Sequence, residues 1–125
     1  MYEHVISEFG RRMGLPALDL ERDKPIQLHI EGMGTLFLEK SNDNVEAILL
    51  YLAREFPAHD HDVPRRALGL CGPDFTRPFP VYAGLYKDNI LFFLTRFTQK
   101  DFSLQALEQA VLILSGLLDE TLLER

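Results

Sequence analysis

Cysteine is nearly absent from this chain of 125 residues. Cys71 is the single example, so no disulfide can form within it, and a reducing compartment suits such a sequence. Positive charge is also scarce. Thirteen lysines and arginines stand against nineteen aspartates and glutamates, a formal net charge of −6, and the basic residues are scattered apart from the pairs Arg11-Arg12 and Arg65-Arg66. A nucleic-acid surface needs clustered cations to displace counterions from phosphates, and the same deficit argues against an anionic membrane surface. No apolar run approaches the ~20 residues that span a bilayer. The start, "MYEHVISEFGRRMG", has acidic residues where a secretion signal carries basic ones, so the expected location is the cytoplasm. Internal repeats and low-complexity segments are missing. So are phosphate-loop signatures: "EGMG" lacks both the Lys-Ser/Thr and the three-glycine fingerprint. No carboxylate pair has recognisable catalytic spacing, and neither an enzyme nor a cofactor is expected.

What is present is an ordinary globular composition, 46% hydrophobic and 26% charged, in a length that suits one domain over residues 1–125. Val5, Ile6, Phe9 and Met13 recur at spacings of three and four, which predicts a first helix over 2–13, stopped by Gly14 and Pro16. Ile26, Leu28 and Ile30 alternate with Gln27, His29 and Glu31. After the "EGMG" turn, Leu36 and Leu38 alternate with Thr35, Phe37 and Glu39. Val45 to Leu52 has good helix formers but follows two strands and the turn "SNDN"; it is read as a third strand, apolar on both sides. Asp62 is a plausible N-cap and Pro64 suits a first helical turn, giving a short helix of Val63, Ala67, Leu68 and Leu70 that ends at Gly72-Pro73. A hairpin follows, with Val81, Ala83 and Leu85 on one face of its first strand and Tyr82, Gly84 and Tyr86 on the other. Ser103 or Asp101 then caps a long helix to about Leu123, striped by Leu104, Leu107, Val111, Leu114, Leu118 and Leu122. The order α-β-β-β-α-β-β-α, with antiparallel runs between helices, predicts an α+β fold with a twisted antiparallel sheet packed by helices.

Two stretches could carry chemistry. "HDHD", His59 to Asp62, interleaves two histidines with carboxylates, which is the donor set of a transition-metal site. A proline-flanked loop is also polar simply because it is wet, and no second His/Cys pair stands nearby, so no metal is expected. A small α+β enzyme or ligand-binding domain using His59 and His61 remains the alternative function. Cys71 in "GLCGP" lacks a nucleophile signature and reads as a half-buried helix-end residue. His4 and His29 are isolated and read as solvent-facing.

The strand "NILFFLTRF", Asn89 to Phe97, sets the main question. One face carries Ile90, Phe92 and Leu94, and the other Leu91, Phe93 and Phe97, so both are greasy. Either helices cover both faces of the sheet, or one face is kept for another chain. Tyr and Phe are residues that interfaces favour, and an open sheet edge can accept an added strand.

The stretches "FGRRMGLP", "IQLHIEGMGTLFLE", "LLYLARE" and "PVYAGLYKDNILFFL", in this order and spacing, resemble the small acidic class I chaperones of bacterial type III secretion (the CesT/SycE-type fold). The resemblance covers nearly the whole chain and is nearest to the SycN-like chaperones of YopN-type gatekeeper proteins. It implies a chaperone that keeps the non-globular N-terminal region of a secreted effector or gatekeeper soluble and secretion-competent. It implies a homodimer, or a heterodimer with a second small chaperone, through Val63, Ala67, Leu68, Leu70, Val81 and Tyr82. It also implies client contacts from the first helix and the first strands: Val5, Phe9, Ile26, Leu28, Ile30, Leu36 and Leu38.

Overall fold

The computed structural model describes residues 2–14, 25–41, 47–71 and 77–122. Its elements are α1 (Tyr2–Arg12), β1 (Ile26–Ile30), β2 (Gly34–Lys40), β3 (Ala47–Glu55), α2 (Asp62–Gly69), β4 (Tyr82–Tyr86), β5 (Ile90–Thr98) and α3 (Leu104–Leu122). The order is the expected α-β-β-β-α-β-β-α. The five strands form one antiparallel sheet in the order β1-β2-β3-β5-β4, so β1 and β4 are its edges.

Local sequence explains most boundaries. Gly14, at φ 73°, closes α1 with its N–H on the Arg11 carbonyl. Gly32 and Gly34 carry the positive φ values of the β1–β2 turn. Ser103, not Asp101, caps α3: its Oγ accepts the Ala106 N–H at 3.1 Å, while Asp101 accepts the Thr98 hydroxyl in the preceding turn. The middle helix departs from expectation. Its N-cap position is His61, which makes no side-chain cap, and Asp62 stands in the first turn. The Asp62 N–H donates instead to Asp60 Oδ1 at 3.2 Å, so the carboxylate two residues earlier does the capping. The helix ends at Gly69; the expected stop at Gly72-Pro73 lies outside the described residues, as do Pro16, Val45 and Leu123.

All three helices belong to one side of the sheet. Ile6 and Phe9 of α1, Val63 and Ala67 of α2, and Leu107, Val111, Leu114 and Leu118 of α3 share a single core with Leu36, Leu38, Leu50, Leu52, Leu91 and Phe93. The register places those strand residues in one phase: Leu36 faces Leu52, Leu52 faces Phe93, and Leu38 faces Leu50. Burial of each such side chain stabilises by about 1.5–3 kcal/mol, which decides that this phase is the core. Thr95, buried within it, donates its hydroxyl to the Pro80 carbonyl at 2.9 Å and so carries no unpaired group inside.

Ionic ties fix the outer helices over this layer. Arg54 at the end of β3 donates to the Met33 carbonyl at 2.8 Å and meets Asp119 of α3 at 2.7 Å. Arg66 of α2 donates to the Thr121 carbonyl at 2.8 Å, close to the C-terminal end of α3, where a cation also suits the helix dipole. Arg12 of α1 meets Glu108 of α3 at 2.9 Å.

Gly34 is where backbone freedom is indispensable. At φ 127°, a Cβ there would stand 2.2 Å from the Ala53 carbonyl oxygen. Gly34→Ala is expected to destabilise the chain by about 2 kcal/mol or more, read as a lower urea midpoint at unchanged slope. Gly32→Ala, with nothing within 4 Å of its Cβ but φ 85°, is expected to cost less.

The candidate binding face of the sheet

The other face of the sheet bears no helix from the described residues. Its side chains follow directly from the register. Gln27, Phe37, Tyr51, Leu94 and Tyr82 stand side by side across the five strands. The adjacent row is His29, Thr35, Ala53, Phe92 and Gly84, and beyond it come Glu55, Ile90 and Tyr86. On the opposite side of the aromatic row lie Glu39, Leu49 and Arg96. Small residues in the second row thus run between larger ones in its neighbours. The result is an open groove of about 1020 Å³, floored by Thr35 and Ala53 and walled by Phe37, Tyr51, Phe92, Ile90 and Tyr86.

The aromatic wall is a linked set. Phe37 and Tyr51 meet edge-on with ring centroids 6.1 Å apart, and Tyr51 meets Phe92 at 5.5 Å. Tyr51 also gives the wall its polar end. Its hydroxyl is pushed above the ordinary tyrosine value by burial first, then by the charge of Glu39 and by its hydrogen bond to that carboxylate. The groove therefore offers apolar area and ring faces with the Glu39 carboxylate beside Tyr51.

The structure separates the residues expected from sequence. Phe9, Ile26, Leu36 and Leu38 are buried, and Val5, Leu28 and Ile30 are packed against the core. All seven belong to the core or pack against it, Val5, Leu28 and Ile30 being only partly buried, and the strand members lie in the helix-covered phase. The middle-helix set divides. Val63, Ala67 and Val81 are interior and Leu70 packs against the core, whereas Leu68 is 72% exposed and Tyr82 51%. With Leu85 and Tyr86, four of the five exposed large hydrophobics among the described residues lie on α2 and β4.

His59 and His61 are exposed, and among the described residues no three metal-ligating side chains stand together. The Cys71 thiol donates to the Ala67 carbonyl at 3.2 Å and is held above its usual pKa chiefly by burial, against smaller opposing effects of a backbone hydrogen bond at Ala83 and of Arg77. That direction is wrong for a thiolate nucleophile.

The groove residues Thr35, Phe37, Tyr51, Ala53 and Phe92 carry no motif that marks them as a site in the sequence, although the doubly apolar strand around Phe92 points to them.

Residues 1–122 match the sequence profile of the family described as type III secretory system chaperone SycN. The chain belongs to that family. Among curated protein sequences, none matches this chain. Three solved structures share its fold. The Yersinia pestis type III secretion chaperone SycH, in complex with a stable fragment of YscM2, aligns at TM-score 0.66 and 15% identity, covering 97% of each chain. The ExsC–ExsE complex aligns at 0.69 and 20%, covering 95% of this chain and 86% of that one. The HopA1–SchA chaperone–effector complex aligns at 0.66 and 17%, covering 96% and 89%. Among the described residues of this SycN-family chain, no helix is long and apolar enough to cross a membrane.

Two outcomes check the placement of the two faces. Phe9→Asp is expected to unfold the chain, because it buries an unpaired charge, whereas Phe37→Asp is expected to leave circular dichroism and the melting midpoint nearly unchanged. Tyr51 is expected to ionise above the ordinary tyrosine value in an ultraviolet titration, compared with Tyr51→Phe. Since its folded pKa lies above the unfolded value of 10.0, its contribution to stability is present below pH 10 and falls as pH rises beyond it. Tyr51→Phe is expected to flatten that alkaline loss.

Proposed function

We propose that this SycN-family chain is a cytoplasmic, non-enzymatic chaperone whose open sheet face holds a non-globular segment of a secreted protein. The observation that carries this reading is the groove itself: an aromatic-walled channel on the face of the sheet opposite the helices. A segment without its own core loses about 1–2 kcal/mol of backbone freedom per residue when it is ordered. Broad apolar contact at about 25 cal/mol per Å² offsets that loss, and no covalent or nucleotide chemistry is required. The fold relatives support the occupant, since SycH, ExsC and SchA are each seen with a partner protein. The net charge of −6 keeps the chain soluble despite this exposed apolar surface. Edge strand β1 lies beside the groove, so an extended segment can also add to the sheet there.

The second surface is the edge made by α2 and β4. Leu68, Tyr82, Leu85 and Tyr86 give it large exposed apolar side chains next to an unpaired strand edge, which fits a second chaperone subunit, either another copy of this chain or a different small chaperone.

The two surfaces are separable by experiment. Co-expression with the N-terminal regions of secreted proteins encoded beside it is expected to yield a soluble complex on affinity purification. Phe37→Asp and Phe92→Asp are expected to lose that partner while the chaperone stays folded; full retention by both variants defeats the groove as the client site. Leu68→Asp and Tyr82→Asp are expected to shift the chaperone from dimer to monomer in light scattering, with little change in melting midpoint because both side chains are exposed in the single chain. A wild-type protein that is monomeric at high concentration, alone and with co-expressed small chaperones, defeats the assembly reading.

A further inference from the structure

Gly84 sits in the interior of β4 with an ordinary strand φ, so the backbone itself does not call for glycine. A glycine inside a strand weakens it, and a close approach by another group is the usual physical reason for one. That approach is visible. A Cβ placed on Gly84 would stand 2.4 Å from Phe92 Cζ, 2.9 Å from Cε2 and 3.0 Å from Cε1. The far edge of the Phe92 ring therefore occupies the space that any other residue would fill. Phe92 stands between Ala53 on one neighbouring strand and Gly84 on the other. The ring edge thus lies on the Gly84 side of Phe92, while Ala53, still 8% exposed, and Thr35 line the groove.

We propose that Gly84 is a positioning residue of the groove: by giving the Phe92 ring a place to lie, it keeps the floor over Ala53 open to the side chains of a bound segment. This rests on the reading that the groove is the client site. A side chain at position 84 turns the ring toward Ala53, closes the floor and restricts the site to narrower client side chains. The ring also ends the chain Phe37–Tyr51–Phe92, so moving it disturbs the wall as well as the floor.

The test needs no client at first. Ala53→Cys in a Cys71→Ser background places a thiol in the floor, and N-ethylmaleimide labelling followed by mass spectrometry reads its accessibility. Adding Gly84→Ala is expected to slow labelling roughly tenfold, because the reagent must wait for the ring to swing away. Thr35→Cys is the control: two strands from β5, about 10 Å, it lies beyond the ring's reach and is expected to label at an unchanged rate. Adding Phe92→Leu to the Gly84→Ala protein is expected to restore the labelling rate at position 53, which general destabilisation cannot do. Unchanged labelling at position 53, or equal changes at positions 53 and 35, overturns the proposal. Should Gly84→Ala fail to fold, the unsubstituted protein decides. Its Gly84 α-protons are expected upfield from the Phe92 ring current, a shift lost in Phe92→Leu, and their absence from that position overturns the proposal. Finally, Gly84→Ala is expected to weaken retention of a co-purifying N-terminal segment of a secreted protein, with recovery in the Gly84→Ala, Phe92→Leu pair. Shielding of the thiol at position 53 with undiminished retention overturns the role of Gly84 in binding and takes the groove reading with it, whereas failure of the labelling test alone removes Gly84 and leaves that reading standing.

Discussion

One constraint governs this molecule: a β-strand exposes its side chains alternately to two faces, and the three helices among the described residues lie on one of them. The helix side holds Phe9, Leu36, Leu52, Phe93, Leu107 and Leu118 in a single core. The other side holds Phe37, Tyr51, Phe92 and Leu94, half-buried, and Tyr82, exposed, with no helix of the described residues over them. Strands β3 and β5 are central, and both of their phases are apolar, so the protein presents hydrophobic surface by construction and not through a local defect.

The groups that could carry chemistry lie apart from this face. The exposed imidazoles of His59 and His61 have no third ligand beside them among the described residues, and Cys71 is biased toward its neutral thiol. The groove has instead apolar area and ring faces, with the carboxylates of Glu39 and Glu55 along its lining. Binding of this kind depends on how well a segment fills the channel, and the fit is set by small residues: Thr35 and Ala53 as floor, and Gly84 as the site onto which Phe92 folds.

The fold is largely legible in the sequence, because helix stripes and strand alternation are strong in α1, β1, β2 and α3. The short middle helix is legible in place but not in its cap, since Asp60 caps it from a stretch that reads as loop. The two faces are legible only in part. In β1 and β2 the apolar phase Ile26, Leu28, Ile30, Leu36 and Leu38 alternates with Gln27, His29, Thr35, Phe37 and Glu39, and an alternation broken only by Phe37 marks a core face. Placing client contacts on those same residues, as the family resemblance implies, sets two demands on one phase. In β3 and β5 alternation does not distinguish the faces, since Leu50 and Tyr51, or Phe92 and Phe93, are equally apolar. What decides there is tertiary: Arg54 shares the phase of Leu50 and Leu52 and is tied to Asp119, and Thr95 in the matching phase of β5 is satisfied by Pro80. No local pattern carries those long-range bonds.

The edge strand β4 joins the two surfaces. Tyr82 and Tyr86 point to the same face as Phe92, and Tyr86 lines the groove, yet both belong to the strand whose outer edge is unpaired. A subunit seated on that edge would therefore meet the end of the groove and lengthen the aromatic row that starts at Phe37. Leu68, carried by α2 on the helix side of the sheet, belongs to the edge alone. Substitutions at Leu68 and at Phe37 touch one surface each, whereas Tyr86 both lines the groove and stands on β4. Under the proposed function, it is therefore the side chain that the groove and the β4 edge share.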